Sequence, residues 1–325
     1  MFWSACSDRE VARQQLLLKG NQALEIQNYE QAIRYYTEAD KLDSCFADAR
    51  NNLGTVYFRT RQWDKAAYWY DQALACETRT EFLFNRANTH LENQAYFLAL
   101  EDVDRVLKVS PDTVPGLGLK ALVFLRMRRY DEAITLYDRI LMLDSNQPDW
   151  WVNRATLAYY LADFNRASAD VTKALRLKAD HPEAMNTKAM ILSETDRPDS
   201  ALIWIDRAIS LDANHPHFIN NRGFIRMLLN RDTEAEYDIN EGITRDPDNP
   251  WAYRNRGILY FRRGDFRDAE RLFRQSLKMD SSVEHAAGYL GLSLLRQGRT
   301  SEACVWLARD RRIPPGLDAN EVKCR

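Results

Sequence analysis

PWAYRNRGILYFRRGDFRDAERLFRQSLKMDSSV, residues 250–283, decides the architecture of this chain. Pro250 stands where a helix opens and a missing N–H costs little, and Asn249 before it can serve as the cap. Apolar and small residues then recur at helical spacing as Tyr253, Gly257, Tyr260, Phe266, Ala269 and Phe273. Arg263-Gly264-Asp265 interrupts the pattern, so a second helix folds back on the first. Gly257 and Ala269 fall where the two helices must cross, and a small side chain on each side lets the backbones approach. Thirty-four residues upstream the same order returns as PHFINNRGFIRMLLNRDTEAEYDINEGITRDPDN.

The small residue of the first helix recurs as Gly20, Gly54, Ala87, Ala121, Ala155, Ala189, Gly223, Gly257 and Gly291. The alanine of the second recurs as Ala32, Ala66, Ala99, Ala133, Ala167, Ala201, Ala235, Ala269 and Ala303. Every step is 34 residues except one of 33. An aromatic residue stands three places before the alanine in six units, as Tyr29, Trp63, Tyr96, Tyr130, Phe164 and Phe266, where it packs in the angle between the helices. This motif resembles the tetratricopeptide repeat (TPR) over about residues 13–317, nearly the whole chain. The resemblance implies an all-α fold, a right-handed α-solenoid superhelix of nine helix–turn–helix repeats with the first helix of each pair on the concave face. Residues 1–12 then form an N-terminal tail and 318–325 a polar C-terminal tail. The run Arg309, Asp310, Arg311, Arg312 before Pro314-Pro315 ends the array with a polar cap.

Composition agrees. A solenoid grows by stacking, so 325 residues need not divide into globular domains. The net charge of −2 gives no field to attract nucleic acid or an anionic membrane. No run of 18 apolar residues occurs, so no transmembrane segment is expected. The five cysteines (Cys6, Cys45, Cys76, Cys304, Cys324) have no metal-ligand spacing, and their odd count argues against a disulfide framework. Cys304, next to Ala303, reads as a small packing residue.

The N-terminus admits two readings. Ser4-Ala5-Cys6 followed by Ser7-Asp8-Arg9 resembles the end of a bacterial lipoprotein signal, which would make Cys6 a lipidation site and the protein a lipid-anchored one of the cell envelope or periplasm. Five residues before Cys6 are too few for a basic region and an apolar core, and Trp3 stands where such signals favour an aliphatic residue. As the sequence stands, a plain apolar tail on a cytoplasmic protein is the expectation.

Two local departures bear on binding. In the fourth unit, Gly116 and Gly118 follow Pro115 in one turn, either notching the inner wall or fraying the helix start. Asn-Arg before the small residue recurs at Asn85-Arg86, Asn153-Arg154, Asn221-Arg222 and Asn255-Arg256. In the family such an asparagine can bond the backbone of a bound peptide; equally, it can bond a neighbouring helix end.

The resemblance places the inner wall at fixed positions of each first helix. Four places beyond the small residue stand Leu24, Phe58, Leu91, Leu125, Tyr159, Ser193, Met227, Phe261 and Leu295, nearly all apolar. One place beyond it stand Asn21, Thr55, Asn88, Leu122, Thr156, Met190, Phe224, Ile258 and Leu292, polar toward the N-terminus and apolar toward the C-terminus. Trp251, read as exposed, lies near the apolar end with Arg254, Arg262 and Arg296, and Trp and Arg are common binding hot spots. This set suits a helical or extended partner segment carrying apolar side chains and an acidic residue or two. The carboxylate clamp of chaperone-binding relatives is not matched, because Leu17 stands where its first lysine is needed.

No phosphate loop, nucleophile elbow or paired metal motif occurs. His215 and His217, with His181 one unit earlier, come nearest to a metal cluster and read as polar helix-start residues. The expectation is a non-enzymatic protein-interaction scaffold that binds a protein or peptide partner in its groove, without cofactor, metal or nucleic acid. The alternative is a lipid-anchored or self-associating structural subunit of a membrane-linked complex.

Overall fold

The computed structural model describes residues 2–309. Within these the chain is built of α-helices paired in the register that the sequence predicts, in two compact units that divide after Asn146. The first holds α1 (Phe2–Glu25), α2 (Tyr29–Leu42), α3 (Ala47–Arg59), α4 (Trp63–Cys76), α5 (Thr80–Glu92), α6 (Tyr96–Val109), α7 (Val114–Arg126) and α8 (Tyr130–Leu143). The second holds α9 (Pro148–Tyr160), α10 (Phe164–Leu177), α11 (Pro182–Glu194), α12 (Pro198–Leu211), α13 (Pro216–Leu228) and α14 (Asp232–Arg245). It continues with α15 (Pro250–Arg263), α16 (Phe266–Met279), α17 (Ala286–Arg296) and α18 (Thr300–Leu307).

Each element starts where its residues dictate. Proline opens α9, α11, α13 and α15, where its fixed φ suits the first turn. The second helices α2, α4, α6, α8, α10 and α16 begin on the six recurring aromatics. These rings seat in the angle of the pair: Trp63 lies edge-on to Phe58 at 5.2 Å and Phe266 to Phe261 at 5.4 Å.

The turn within each pair closes by one device. The residue just before the second helix donates back across five positions, Gln62 to the Tyr57 carbonyl at 2.9 Å and Asp265 to that of Tyr260 at 3.0 Å. This bond requires the residue before it to be left-handed. Gly264 and Gly298 meet that need without strain, but Gln27, Arg61, Gln94, Arg128, Ala162, Asp196 and Asn230 take the same conformation. A left-handed residue with a side chain costs about 1–2 kcal/mol, so packing of the pairs, rather than glycine, imposes these seven turns.

The crossing is as tight as the small residues imply. A Cβ on Gly54 would lie 2.7 Å from the ring of Tyr70, and one on Gly257 2.7 Å from that of Phe273. The buried second-helix residue lies sixteen places after its glycine in both, and the alanines from Ala32 to Ala303 are fully buried.

Three expectations change and one falls outside the described residues. α1 begins at Phe2, so residues 2–12 continue the first helix rather than forming a separate tail, while Cys6 falls in α1 with its side chain outside the described residues. The polar cap beyond Arg309 and the tail 318–325 also lie outside them. Gly116 makes no notch: a Cβ there would meet Thr113 at 2.8 Å and Leu107 at 3.0 Å, so the glycine seats α7 against α6. Trp251 is half-buried against the cluster around Phe273 rather than exposed.

The cysteine reading is corrected. Cys45, in the loop before α3, is bonded to Cys76 in the last turn of α4, with Cα atoms 5.4 Å apart, and Cys304 is disulfide-bonded too. Folding α4 back along α3 brings residues 31 positions apart together, which an odd cysteine count does not reveal. Replacing Cys45 and Cys76 together by serine is expected to cost about 2–4 kcal/mol, since the bond closes a loop of that order. Denaturant melts of the oxidised protein and the double variant check this. Coincident curves would show that the bond adds nothing.

Candidate functional site

The first helices form the inner wall of each unit. In the second, α9 packs on α11, α11 on α13, α13 on α15 and α15 on α17. Along the last three a cavity of about 370 Å³ opens, walled by Phe224, Met227, Leu228, Ile258, Phe261 and Tyr289 and rimmed by Asn230, Arg254, Arg262 and His285. Six of these ten come from the two inner-wall positions and nearby arginines singled out in the sequence: Phe224, Met227, Arg254, Ile258, Phe261 and Arg262. Met227 and Ile258 are buried and serve both core and cavity floor, while Phe224 and Phe261 are half-buried.

Arg254 is 7% exposed, with its guanidinium 5.2 Å from the centre of the Phe224 ring. Its Nε and Nη2 donate to Asn255 Oδ1 at 3.0 and 2.8 Å, and Nη1 donates to the Glu284 carbonyl at 3.3 Å. Arg262 is more exposed and already engaged, donating to the Met227 carbonyl at 2.6 Å and to Asn230 Oδ1 at 2.5 Å, with Asp232 at 3.1 Å.

Leu228, Asn230, His285 and Tyr289 line the cavity without having been singled out. Glu284 stands where four earlier pairs have proline, and the chain there departs from the repeat. His285 takes a left-handed φ of 60° and α17 starts only at Ala286. That missing proline is the one signal in the sequence. Tyr289 lies edge-on to Phe261 at 5.7 Å and stacks on Phe273, so its place follows from packing across pairs.

Tyr159 lies at the same wall position on α9. Its hydroxyl donates to Glu194 Oε1 at 3.3 Å. Burial, with the carboxylates of Glu194 and Glu284, pushes its phenol well above the ordinary range, and Arg254 pulls the other way. Met190, on α11, is half-buried.

In the first unit the wall is spent on structure. Leu91 is 4% exposed and packs with Ala87, Ala99, Val103, Leu119 and Val123, so it is a core residue. Leu122 leans on the same cluster, Leu125 is half-buried, and Phe58 is occupied by Trp63. Asn21 Oδ1 accepts from the buried Tyr36 hydroxyl at 2.7 Å and from Asn52 Nδ2 at 2.9 Å. Thr55 meets the Tyr70 hydroxyl at 3.1 Å, and Asn88 donates to the Phe84 carbonyl at 2.8 Å. The polar-to-apolar gradient therefore has a structural origin at its start. Tyr36 and Tyr70 need a polar partner above them, whereas Ile239 and Phe273, at the matching places, need apolar ones such as Phe224 and Ile258.

Three of the recurring asparagines each bond a different asparagine on the first helix of the preceding pair. Asn85 donates to Asn51 at 3.0 Å, Asn221 to Asn186 at 2.9 Å and Asn255 to Asn220 at 3.0 Å. The neighbouring-helix reading holds for these three. Among the described residues no group of three or more His, Cys, Asp or Glu is placed to hold a metal. No described helix is long and apolar enough to cross a membrane.

Comparison with known proteins follows the same frame. A tetratricopeptide repeat model matches residues 254–314, and the model described as intraflagellar transport protein 56 matches residues 19–200. The chain belongs to the tetratricopeptide repeat family. Among solved structures, this TPR chain is similar to the APC/C hetero-tetramer Cut9–Hcn1, with a TM-score of 0.62 over 86% of this chain and 55% of that one at 14% identity. It is also similar to PilF of Pseudomonas aeruginosa, with a TM-score of 0.55 over 65% and 96% at 20% identity. At these identities the likeness shows the fold. In sequence it is 30% identical over 118 residues to the U-box domain-containing protein 70 of Oryza sativa subsp. japonica, covering 36% of this chain and 15% of that protein. It is 24% identical to a DnaJ protein homologue of Arabidopsis thaliana, covering 55% and 40%. The TPR chain thus spans less than half the length of either curated relative.

Proposed function

We propose that this protein is a non-catalytic scaffold whose second unit holds a segment of a partner protein along its inner wall, with a large apolar side chain seated in the cavity of α13, α15 and α17. Proteins of this family generally mediate protein–protein interaction. The observation that carries the reading here is the apolar wall of Phe224, Met227, Ile258, Phe261 and Tyr289 around an open volume of about 370 Å³, which is of ligand-pocket size. Phe224 and Phe261 are half-buried and keep surface that an occupant can cover, whereas Asn21 and Thr55 of the first unit's wall meet their own second-helix tyrosines.

The test is a crosslinking capture from native cells, comparing the wild type with the Phe224→Asp/Phe261→Asp variant. Loss of a hot-spot pair is expected to weaken capture by at least about thirtyfold while the helical circular dichroism signal is retained. Equal capture by both would move the interface off this wall.

The Cys45–Cys76 bond favours folding in an oxidising compartment over the cytoplasm, since such bonds persist where thiols are not kept reduced. Free-thiol counting on protein taken from its native source, without reductant, tests that reading. Two titratable thiols at Cys45 and Cys76 would reject it.

A further inference from the structure

We infer that the cavity selects a partner segment with an internal Asp or Glu side chain beside its large apolar residue, and that Arg254 is the group that reads the carboxylate. This rests on the cavity being the binding site, as proposed above. Arg254 is the unusual element there. It lines an otherwise apolar cavity and is 7% exposed. Its bonds go to neutral acceptors, the Asn255 amide oxygen and the Glu284 carbonyl, and no carboxylate pairs with it among the described residues. Burying a cation without an anionic partner is costly, and a ring face such as that of Phe224 offsets only part of the cost.

Three other arginines of the unit show what a satisfied one looks like. Arg222 is forked onto Asp238, Arg154 onto Asp170, and Arg262 on the same rim has Asp232. Arg254 has used one N–H of each terminal nitrogen, so one on Nη1 and one on Nη2 remain, enough to receive a single carboxylate. None of the ten lining residues is acidic, so the cavity itself offers nothing to repel it. The nearby acids, Glu194 and Glu284, act on Tyr159. The wall continues beyond the cavity along α11, while Tyr289 of α17 closes it at the other end. A chain lying along α11 and reaching the cavity can therefore bring a side-chain carboxylate to Arg254.

The probe is a bead library of randomised heptapeptides, N-acetylated and C-amidated, selected on the full chain. Enriched sequences are expected to carry Asp or Glu within two places of Phe, Trp, Leu or Met. The best peptide, resynthesised with a fluorophore, should bind the wild type at least about tenfold more tightly than its Asn or Gln analogue, the worth of one charge-assisted bond. Arg254→Met should abolish that ratio and Arg254→Lys should keep most of it. Equal binding of the acid and its amide by the wild type overturns the inference without any variant, as does a ratio that survives in a folded Arg254→Met. No enrichment, or enrichment only in a library with free C-termini, overturns it as well. The Phe261→Asp variant separates the two proposals. If it weakens acid and amide peptides alike while the wild type shows no preference between them, the groove stands and the acidic specificity falls. If it weakens neither, the cavity is not the site and both fall.

Discussion

Asp238→Ala is expected to destabilise the second unit by about 3–5 kcal/mol. The Asp238 side chain is wholly buried and receives Arg222 through Nε and Nη2, both at 2.8 Å, and Arg226 through Nη1 at 2.6 Å. Three charge-assisted bonds converge on one carboxylate, and removing it leaves two partly exposed guanidinium groups with only the more exposed Asp206, at 3.3 Å, and Glu234, at 3.4 Å, as anionic partners. Breaking a buried pair from one side is among the costlier single changes, because both arginines lose the one carboxylate that is held in place for them. Urea denaturation gives the magnitude. A midpoint unchanged from wild type would mean that both arginines swing out into water and that the fork holds nothing together. Replacing Arg222, Arg226 and Asp238 together by apolar residues of similar volume should recover much of the loss, since the cost lies in the stranded charges.

The same fork recurs as Arg86–Asp102 and Arg154–Asp170, each pair sixteen residues apart. Arg86, Arg154 and Arg222 are 68 residues apart, so the fork marks alternate repeats. In the repeats between, the arginine place holds Lys120, paired with Asp104 at 2.6 Å, and Lys188, 3.8 Å from the centre of the Trp204 ring. The structural unit is therefore two pairs long in its buried charges, although it is one pair long in its small residues.

That double period stands in the sequence but is legible only once each arginine is paired with the aspartate sixteen places on. The 34-residue phase was legible because it rests on residue size. A glycine or alanine at a helix crossing has no substitute, and Gly54 over Tyr70 shows why. The outer boundaries of the helices were legible for a similar reason, since proline fixes them locally. What was not legible depends on partners distant in sequence. Cys45 and Cys76 meet only once α4 has folded back along α3, and Asn21 faces Tyr36 only across a finished crossing. The turns were half-legible. Arg263-Gly264-Asp265 announces a break, whereas Tyr159 to Phe164 makes the same turn with Ala162 in the left-handed position and no glycine to mark it. At the cavity, residue type alone found Phe224, Ile258, Phe261 and Arg254. It could not find His285 and Tyr289, which enter because α17 starts late.

Phe273→Ala should cost about 3–5 kcal/mol, the usual range for emptying a fully buried aromatic site. Phe273 packs beneath Gly257, and its ring stacks on Tyr289 at 5.7 Å, so one side chain ties α15 and α16 to α17. In a stacked array each pair leans mainly on its neighbours, so the lost protection should appear in α15 to α18 and leave the first unit unchanged in hydrogen exchange. Binding should weaken too, because Tyr289 loses the ring that holds it against Phe261 at the cavity wall. The coupling to Gly257 provides the sharper test. Gly257→Ala alone places a Cβ 2.7 Å from the Phe273 ring and should destabilise by overpacking, but in a Phe273→Ala background the same methyl enters the vacated space. The double variant is therefore expected to be more stable than the sum of the two single losses allows. Strict additivity would show that glycine and ring do not compete for the same volume, and the account of why a small residue recurs at every crossing would fail at the pair where it is most explicit.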